Sequence, residues 1–193
     1  SEHANPVYRY YQETRPELRR FEPVAVQPSV AQAAMIGNPV SMPRVIQLVE
    51  EYQRRSDQPN VFFVEVCEQA IMDWGLRANR NGHIACTHGG ECLAGLVEAL
   101  AADYVSAGET AILDATAHAL KFAGFQDLYF EDRFPPEFRV KPEPALQNAP
   151  MFVAPKDIDR LPEAGRPLEG DALLSFVDHV ARDVAATLKL EKR

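Results

Sequence analysis

The chain has 193 residues, 46% of them hydrophobic and 25% charged, with a formal net charge of -8. That is enough for one sizeable core, while the acidic balance argues against a nucleic-acid or anionic-membrane surface and no apolar run reaches the length of a membrane span. Its three cysteines, Cys67, Cys86 and Cys92, are an odd number in a chain of this size, which points to a reducing, cytoplasmic setting rather than a disulfide scaffold.

Taken in order, the first residue is Ser1 and the opening is already motif-like, so the chain reads as the continuation of something longer. Asn5-Pro6 predicts a turn, and Val7 to Arg20 a helix broken near Pro16. Glu22 to Ser29 is extended, with Pro23 and Pro28. In the run Ile36-Gly37-Asn38-Pro39-Val40-Ser41, Gly37 can take a positive φ and Pro39 pushes Asn38 away from helical angles. The run is either a helix-start turn or a rigid turn that lines a ligand. Ser41 then caps a helix to about Arg55, with Val45, Ile46, Leu48, Val49 and Tyr52 on its apolar face.

Val61 to Val66 predicts a strand, Cys67 to Arg80 a helix ended by Asn81-Gly82, and His83 to Thr87 a short strand. Gly89-Gly90 opens a helix from Glu91 to about Ala107, leaving free N–H groups toward whatever binds there. Thr110 to Thr116 is β-branched and apolar and predicts a buried central strand, after which Ala117 to Phe125 turns helical. Such alternation predicts an α/β fold: a three-layer parallel sheet with helices on both faces and the strand ends at Cys67, Thr87 and Thr116 on one edge. Ligands in open sheets sit at that edge, so Thr116 and His118 are either site residues or a helix cap and a surface histidine. The organisation expected is an α/β portion over residues 1–132, a Pro-rich extended wrap over 133–170, and a C-terminal helix and tail over 171–193, with a disordered end at Glu191–Arg193.

Two chemistries follow from residue types alone. His83, Cys86, His88 and Cys92 are zinc-ligand types within ten residues, but H-x2-C-x-H-x3-C is not a structural zinc spacing, so no metal site is expected. Cys86 and His88 are too close along a strand for a nucleophile–base pair, and neither a G-x-S-x-G elbow nor a Walker loop is present.

Three stretches together resemble threonine synthase, a fold-type II pyridoxal-phosphate enzyme family. They are Asn5 to Ser41 ending in I-G-N-P-V-S, Ala85-Cys86-Thr87-His88-Gly89-Gly90 with Leu93 to Leu96, and Ala115-Thr116-Ala117-His118-Ala119-Leu120-Lys121. The last is similar to the family's T-G-H-G-L-K motif, with alanine at Ala117 and Ala119 in place of glycine and Phe122 where the family usually has an acid. The likeness covers about Asn5 to Phe130. It implies the large-domain half of that fold and a pyridoxal 5'-phosphate cofactor. Thr116 is implied to hydrogen-bond the pyridine nitrogen and Gly37, Asn38 and Pro39 to wall the ring, with Thr87 and His88 as further lining. The family's Schiff-base lysine and phosphate loop belong to an earlier motif absent here, and Lys121 matches only the lysine after the histidine. The resemblance therefore implies the carboxyl-terminal portion of an enzyme that turns O-phosphohomoserine and water into threonine and phosphate, inactive as a fragment, with a homodimer admitted. A threonine dehydratase, a cysteate synthase-like enzyme and a non-catalytic domain of the same half-fold remain alternatives.

Overall fold

The computed structural model describes residues 1–150, 153, 158 and 161–190. They divide into two compact units, Ser1–Ala149 and Pro150–Arg193. The first unit holds α1 (Pro6–Gln12), α2 (Met42–Gln53), α3 (Glu68–Arg80), α4 (Thr87–Ala101) and α5 (Ala123–Phe130). Short 3-10 turns lie at Pro16–Leu18, Gln32–Ala34, Ala119–Phe122 and Pro136–Phe138. The second unit holds α6 (Gly170–Thr187), close to the helix expected from Asp171, with Gly170 at a φ of +55°. The disorder expected of Glu191–Arg193 lies outside the described residues.

The parallel sheet does not form. Among the described residues the only β pairings are two isolated antiparallel bridges, Ala85–His118 and Glu163–Arg166. Of the segments expected to run parallel, His83–Thr87 carries one of these bridges, and its partner is His118, just beyond Thr110–Thr116, in the antiparallel sense. The expected central strand is not buried either: residues 110–116 are exposed throughout. The third segment, Val61–Val66, is held by a backbone hydrogen bond from Glu2 N–H to the Val66 carbonyl (2.8 Å). The physical reason is that a helix closes its own hydrogen bonds whereas a strand needs a neighbour for each of its backbone groups. β-Branched sequence alone supplies an extended shape, not a partner.

The helices do form, and they pack through glycine. α3 starts after Cys67, whose Sγ accepts from Ala70 N–H (3.5 Å), and ends before Gly82, at a φ of +87°. α4 turns back against it. A Cβ on Gly90 would overlap the Ile71 carbonyl oxygen and come within 3.1 Å of the Gly75 Cα, so the two backbones cross where neither has a side chain. Gly89-Gly90 is therefore a packing device more than an open anion cradle, and the Gly90 N–H already bonds the Cys86 carbonyl (3.1 Å). The core around this hairpin gathers Val30, Ala31, Val66, Ile71, Met72, Leu76, Ala94, Tyr129 and Leu146.

The stretch from Pro135 to Ala149 runs along α3 and α5. Gln69 Oε1 accepts from Lys141 N–H (2.7 Å), the Tyr129 hydroxyl accepts from Glu143 N–H (2.9 Å), and Gln147 Nε2 donates to the Phe130 carbonyl (3.1 Å). Phe134, Phe138 and Val140 add apolar cover to the core.

Candidate functional site

The bridge beside the start of α4 sets Thr116 and His118 at one cleft. The backbone joins here by Cys86 N–H to the Ala117 carbonyl (2.8 Å) and Ala119 N–H to the Ile84 carbonyl (3.3 Å). An open cleft of about 370 Å³ lies along this join, lined by His83, Ile84, Ala85, Ala115, Thr116, Ala117 and His118. Thr116 is exposed, and its hydroxyl has no hydrogen-bond partner among the described residues. Thr116 is not the cap: that role falls to His118, whose Nδ1 accepts from Leu120 N–H (3.2 Å) at the start of the turn Ala119–Phe122. Lys121 is exposed, with Nζ 5.9 Å from the centre of the Phe122 ring.

Thr87 and His88 face other ways. The Thr87 hydroxyl is buried without a partner, and Thr87 lines a water-sized cavity of about 20 Å³ with Met72, Asn79, Cys86, Phe122 and Gln126. His88 Nε2 accepts from Ala33 N–H (3.0 Å), which leaves the proton of the neutral ring on Nδ1, 3.2 Å from the Cys86 sulfur. The imidazole is thereby pinned between the 3-10 turn at Gln32–Ala34 and the first residue before α4.

The segment leading into that turn, Ser29–Val30, is held by a residue with no local signature in the sequence. Glu68, the first residue of α3, is fully buried. Its carboxylate accepts from Ser29 Oγ (2.9 Å), Val30 N–H (2.7 Å) and Ser1 Oγ (2.5 Å). An acidic residue in the first turn of a helix is ordinary on dipole grounds, so its burial carries no local signature. The ion-type contact from His3 to Glu68 is longer, at 3.8 Å, and the His3 ring bonds the Pro28 carbonyl instead (2.6 Å).

Gly37, Asn38 and Pro39 are not among the residues that line the Thr116 cleft. Gly37 needs to be glycine because a Cβ would overlap the Val24 carbonyl oxygen, and its φ is not positive. Asn38 is exposed, and Pro39 lines a separate pocket of about 310 Å³ with Asn5, Tyr8 and Glu65. Of the zinc-type residues, Cys86 and His88 meet at 3.2 Å, while Cys92 bonds elsewhere. Cys92 Sγ donates to the Asp114 carbonyl (3.2 Å), and burial, followed by the nearby Glu91 and Asp114 charges, raises its thiol pKa, which disfavours a reactive thiolate. No group of three or more metal-ligating side chains assembles among the described residues. Nor is any helix among them long and apolar enough to cross a membrane.

With this geometry in place, comparison with known proteins adds a distant and partial similarity to threonine synthases. Threonine synthase 2, chloroplastic, of Arabidopsis thaliana is 29% identical over 119 residues, covering 62% of this chain and 21% of that protein. The chain thus spans about a fifth of the length of that curated relative. No family model matches the chain.

Proposed function

We propose that this chain is the carboxyl-terminal portion of a threonine synthase-type, pyridoxal-phosphate-dependent lyase acting on O-phosphohomoserine in the cytoplasm. The observation that carries the reading is the Thr116 hydroxyl. It stands unpartnered at the cleft beside His83 and His118, inside the stretch that resembles the family's histidine motif. The similarity to a threonine synthase supports the same reading.

The cleft fits one end of the cofactor. Ala85, Ala115 and Ala117 leave room for a planar ring, and Thr116 offers a donor for its pyridine nitrogen. The lining holds no lysine to take the aldehyde and no cationic side chain other than histidine for the phosphate. Those two ends are assigned to a part of the enzyme outside this chain. When bound, pyridoxal phosphate supplies an electron sink for elimination and replacement at the β and γ carbons of an amino acid. This chain's contribution is to orient the ring. With the ring bound there, the neutral Thr116 hydroxyl would be the donor facing its nitrogen and would favour the unprotonated form, a weaker electron sink. His118, fixed by its bond to Leu120 N–H, borders the same cleft.

The test is Thr116→Val in the whole enzyme, with phosphate release from O-phosphohomoserine as the readout. The substitution keeps the β-branched shape and removes the donor. Loss of a hydrogen bond to a buried acceptor costs on the order of 1–3 kcal/mol, so kcat/KM falls about ten- to a hundredfold. Full activity in a folded Thr116→Val enzyme overturns the reading. Release of ammonia or incorporation of sulfite in place of threonine formation would assign the chain to a dehydratase or a cysteate synthase.

A further inference from the structure

A second, larger pocket, which shares no lining residue with the Thr116 cleft, lies between α1, the C-terminal half of α2 and the extended stretch after it. Its volume is about 730 Å³, within the roughly 300–1,000 Å³ typical of small-molecule sites. Two aromatic pairs form its apolar walls. Tyr11 stacks on Phe63 with ring centres 4.0 Å apart, and Phe62 stacks on Tyr104 at 4.4 Å. Phe62 and Tyr104 are 44% and 40% exposed, so this wall is open to a ligand.

The polar groups of the pocket are unsatisfied in a complementary way. The Tyr11 hydroxyl is buried and has no hydrogen-bond partner. Burial raises its pKa, so it remains a neutral donor at neutral pH. Arg19 lies over the Tyr11 ring at 4.9 Å, and its Nε is fixed on the Glu13 carbonyl (2.8 Å). Arg54 is fixed in the same manner, Nε to the Glu50 carbonyl (3.1 Å). Among the described residues neither guanidinium has a carboxylate partner, and the Glu50 carboxylate has no cation. Held by Nε, each guanidinium has its terminal N–H groups left to take an anion, the arrangement that favours a carboxylate. Glu50 supplies an opposite charge on the same rim.

We propose that this pocket binds a free amino acid with an apolar or aromatic side chain. The ligand's carboxylate is held by Arg19, Arg54 and the Tyr11 hydroxyl, its ammonium by Glu50, and its side chain against Phe62 and Tyr104. The proposal is independent of the reading of Thr116. A phosphorylated substrate would not suit an aromatic wall, which sets this ligand class apart from O-phosphohomoserine.

Isothermal titration of the 193-residue chain with L-phenylalanine tests it, alongside 3-phenylpropionate, which lacks the ammonium, and 2-phenylethylamine, which lacks the carboxylate. L-Phenylalanine is expected to bind saturably at one site and both analogues at least about tenfold more weakly, since each leaves a charged pocket group unpaired. Arg54→Gln is expected to weaken L-phenylalanine by about ten- to a hundredfold, and Tyr11→Phe, which keeps the stack, by about three- to tenfold. Arg54 is exposed near the end of α2 and its circular dichroism should match the parent; if it does not, Glu50→Gln replaces it with the same expected direction. Absence of saturable binding, equal binding of either analogue, or full affinity in the rim variant overturns the proposal.

Discussion

The α3–α4 hairpin and the stretch from Gly108 to Thr116 that follows it are neighbours in sequence with opposite outcomes. The hairpin is closed. Its helices satisfy their own backbones, cross through Gly75 and Gly90, and bury Ile71, Met72, Leu76 and Ala94. The following stretch is extended and open, with Ile112 95% exposed and no backbone ladder among the described residues. Both are apolar in composition. What separates them is where their hydrogen bonds can go: inside the element for a helix, to another chain segment for a strand. The same contrast runs through α4, whose Gly90–Ala94 side is buried on α3 while Leu93, Leu96 and Val97 are only half-buried.

The largest effect should come from breaking the closed region at its crossing point. Gly90→Ala puts a methyl group into the Ile71 carbonyl oxygen, a backbone atom that cannot swing aside. Alanine gains about 1 kcal/mol of helix propensity, but overpacking against a backbone atom costs about 3 kcal/mol, so a net loss of about 2 kcal/mol is expected in urea denaturation. A loss below about 1 kcal/mol would mean that α4 slides away from α3 cheaply, and the hairpin would not be the rigid partner in the comparison.

Tyr129 sharpens the same contrast through pH. Its side chain is fully buried, its hydroxyl donates to Asp73 Oδ1 (2.5 Å), and it accepts from Glu143 N–H (2.9 Å). Burial first, and the Asp73 hydrogen bond second, raise the phenol pKa well above its ordinary value of 10.0. The folded state therefore keeps a proton that the unfolded state gives up. Its contribution is fully present below pH 10 or so and is lost progressively as the pH rises beyond that. Tyr129→Phe is expected to cost about 1–3 kcal/mol at pH 7 and to flatten the alkaline fall in stability above about pH 10. An unchanged alkaline slope in the variant would show that other groups govern it.

The same physical division decides what was legible in the sequence. The helices were: the 3.6-residue periodicity gave α2, α3 and α6 nearly to their ends, with Ser41 and Cys67 at the boundaries and Gly82 as the stop. Periodicity missed the true start of α4 at Thr87, since Thr-His-Gly-Gly reads as a loop by propensity and is held in the helix by contact with Gly75 and Ile71. Strand pairing was not legible, because alternation and β-branching describe a surface and say nothing of which segment lies beside it. In the candidate site, the motif placed Thr116 and His118 on one cleft. The grouping of Gly37, Asn38 and Pro39 with them rests on the resemblance, and these residues do not line that cleft. Glu68 and the Arg19–Arg54 pair were invisible for a common reason: nothing local distinguishes a buried glutamate from an exposed one, or an arginine with a partner from one without.

The smallest effect is expected in the open region, and it is the sharpest check on the comparison. Ile112→Thr keeps a β-branched residue with a similar preference for extended backbone and replaces an apolar surface by a polar one. A side chain that is 95% exposed has almost no burial to lose. Substitutions of that kind fall within about 0.5 kcal/mol of the parent, so urea denaturation of the 193-residue chain should scarcely distinguish the two proteins. The parent, carrying Ile112 and Leu113 on an unpaired extended segment, should also be the more prone to self-association at high concentration, with the threonine variant showing less by light scattering. If Ile112→Thr instead costs more than about 1 kcal/mol, the side chain is buried in solution. The stretch would then be paired, and the difference between the closed hairpin and the open strand would disappear.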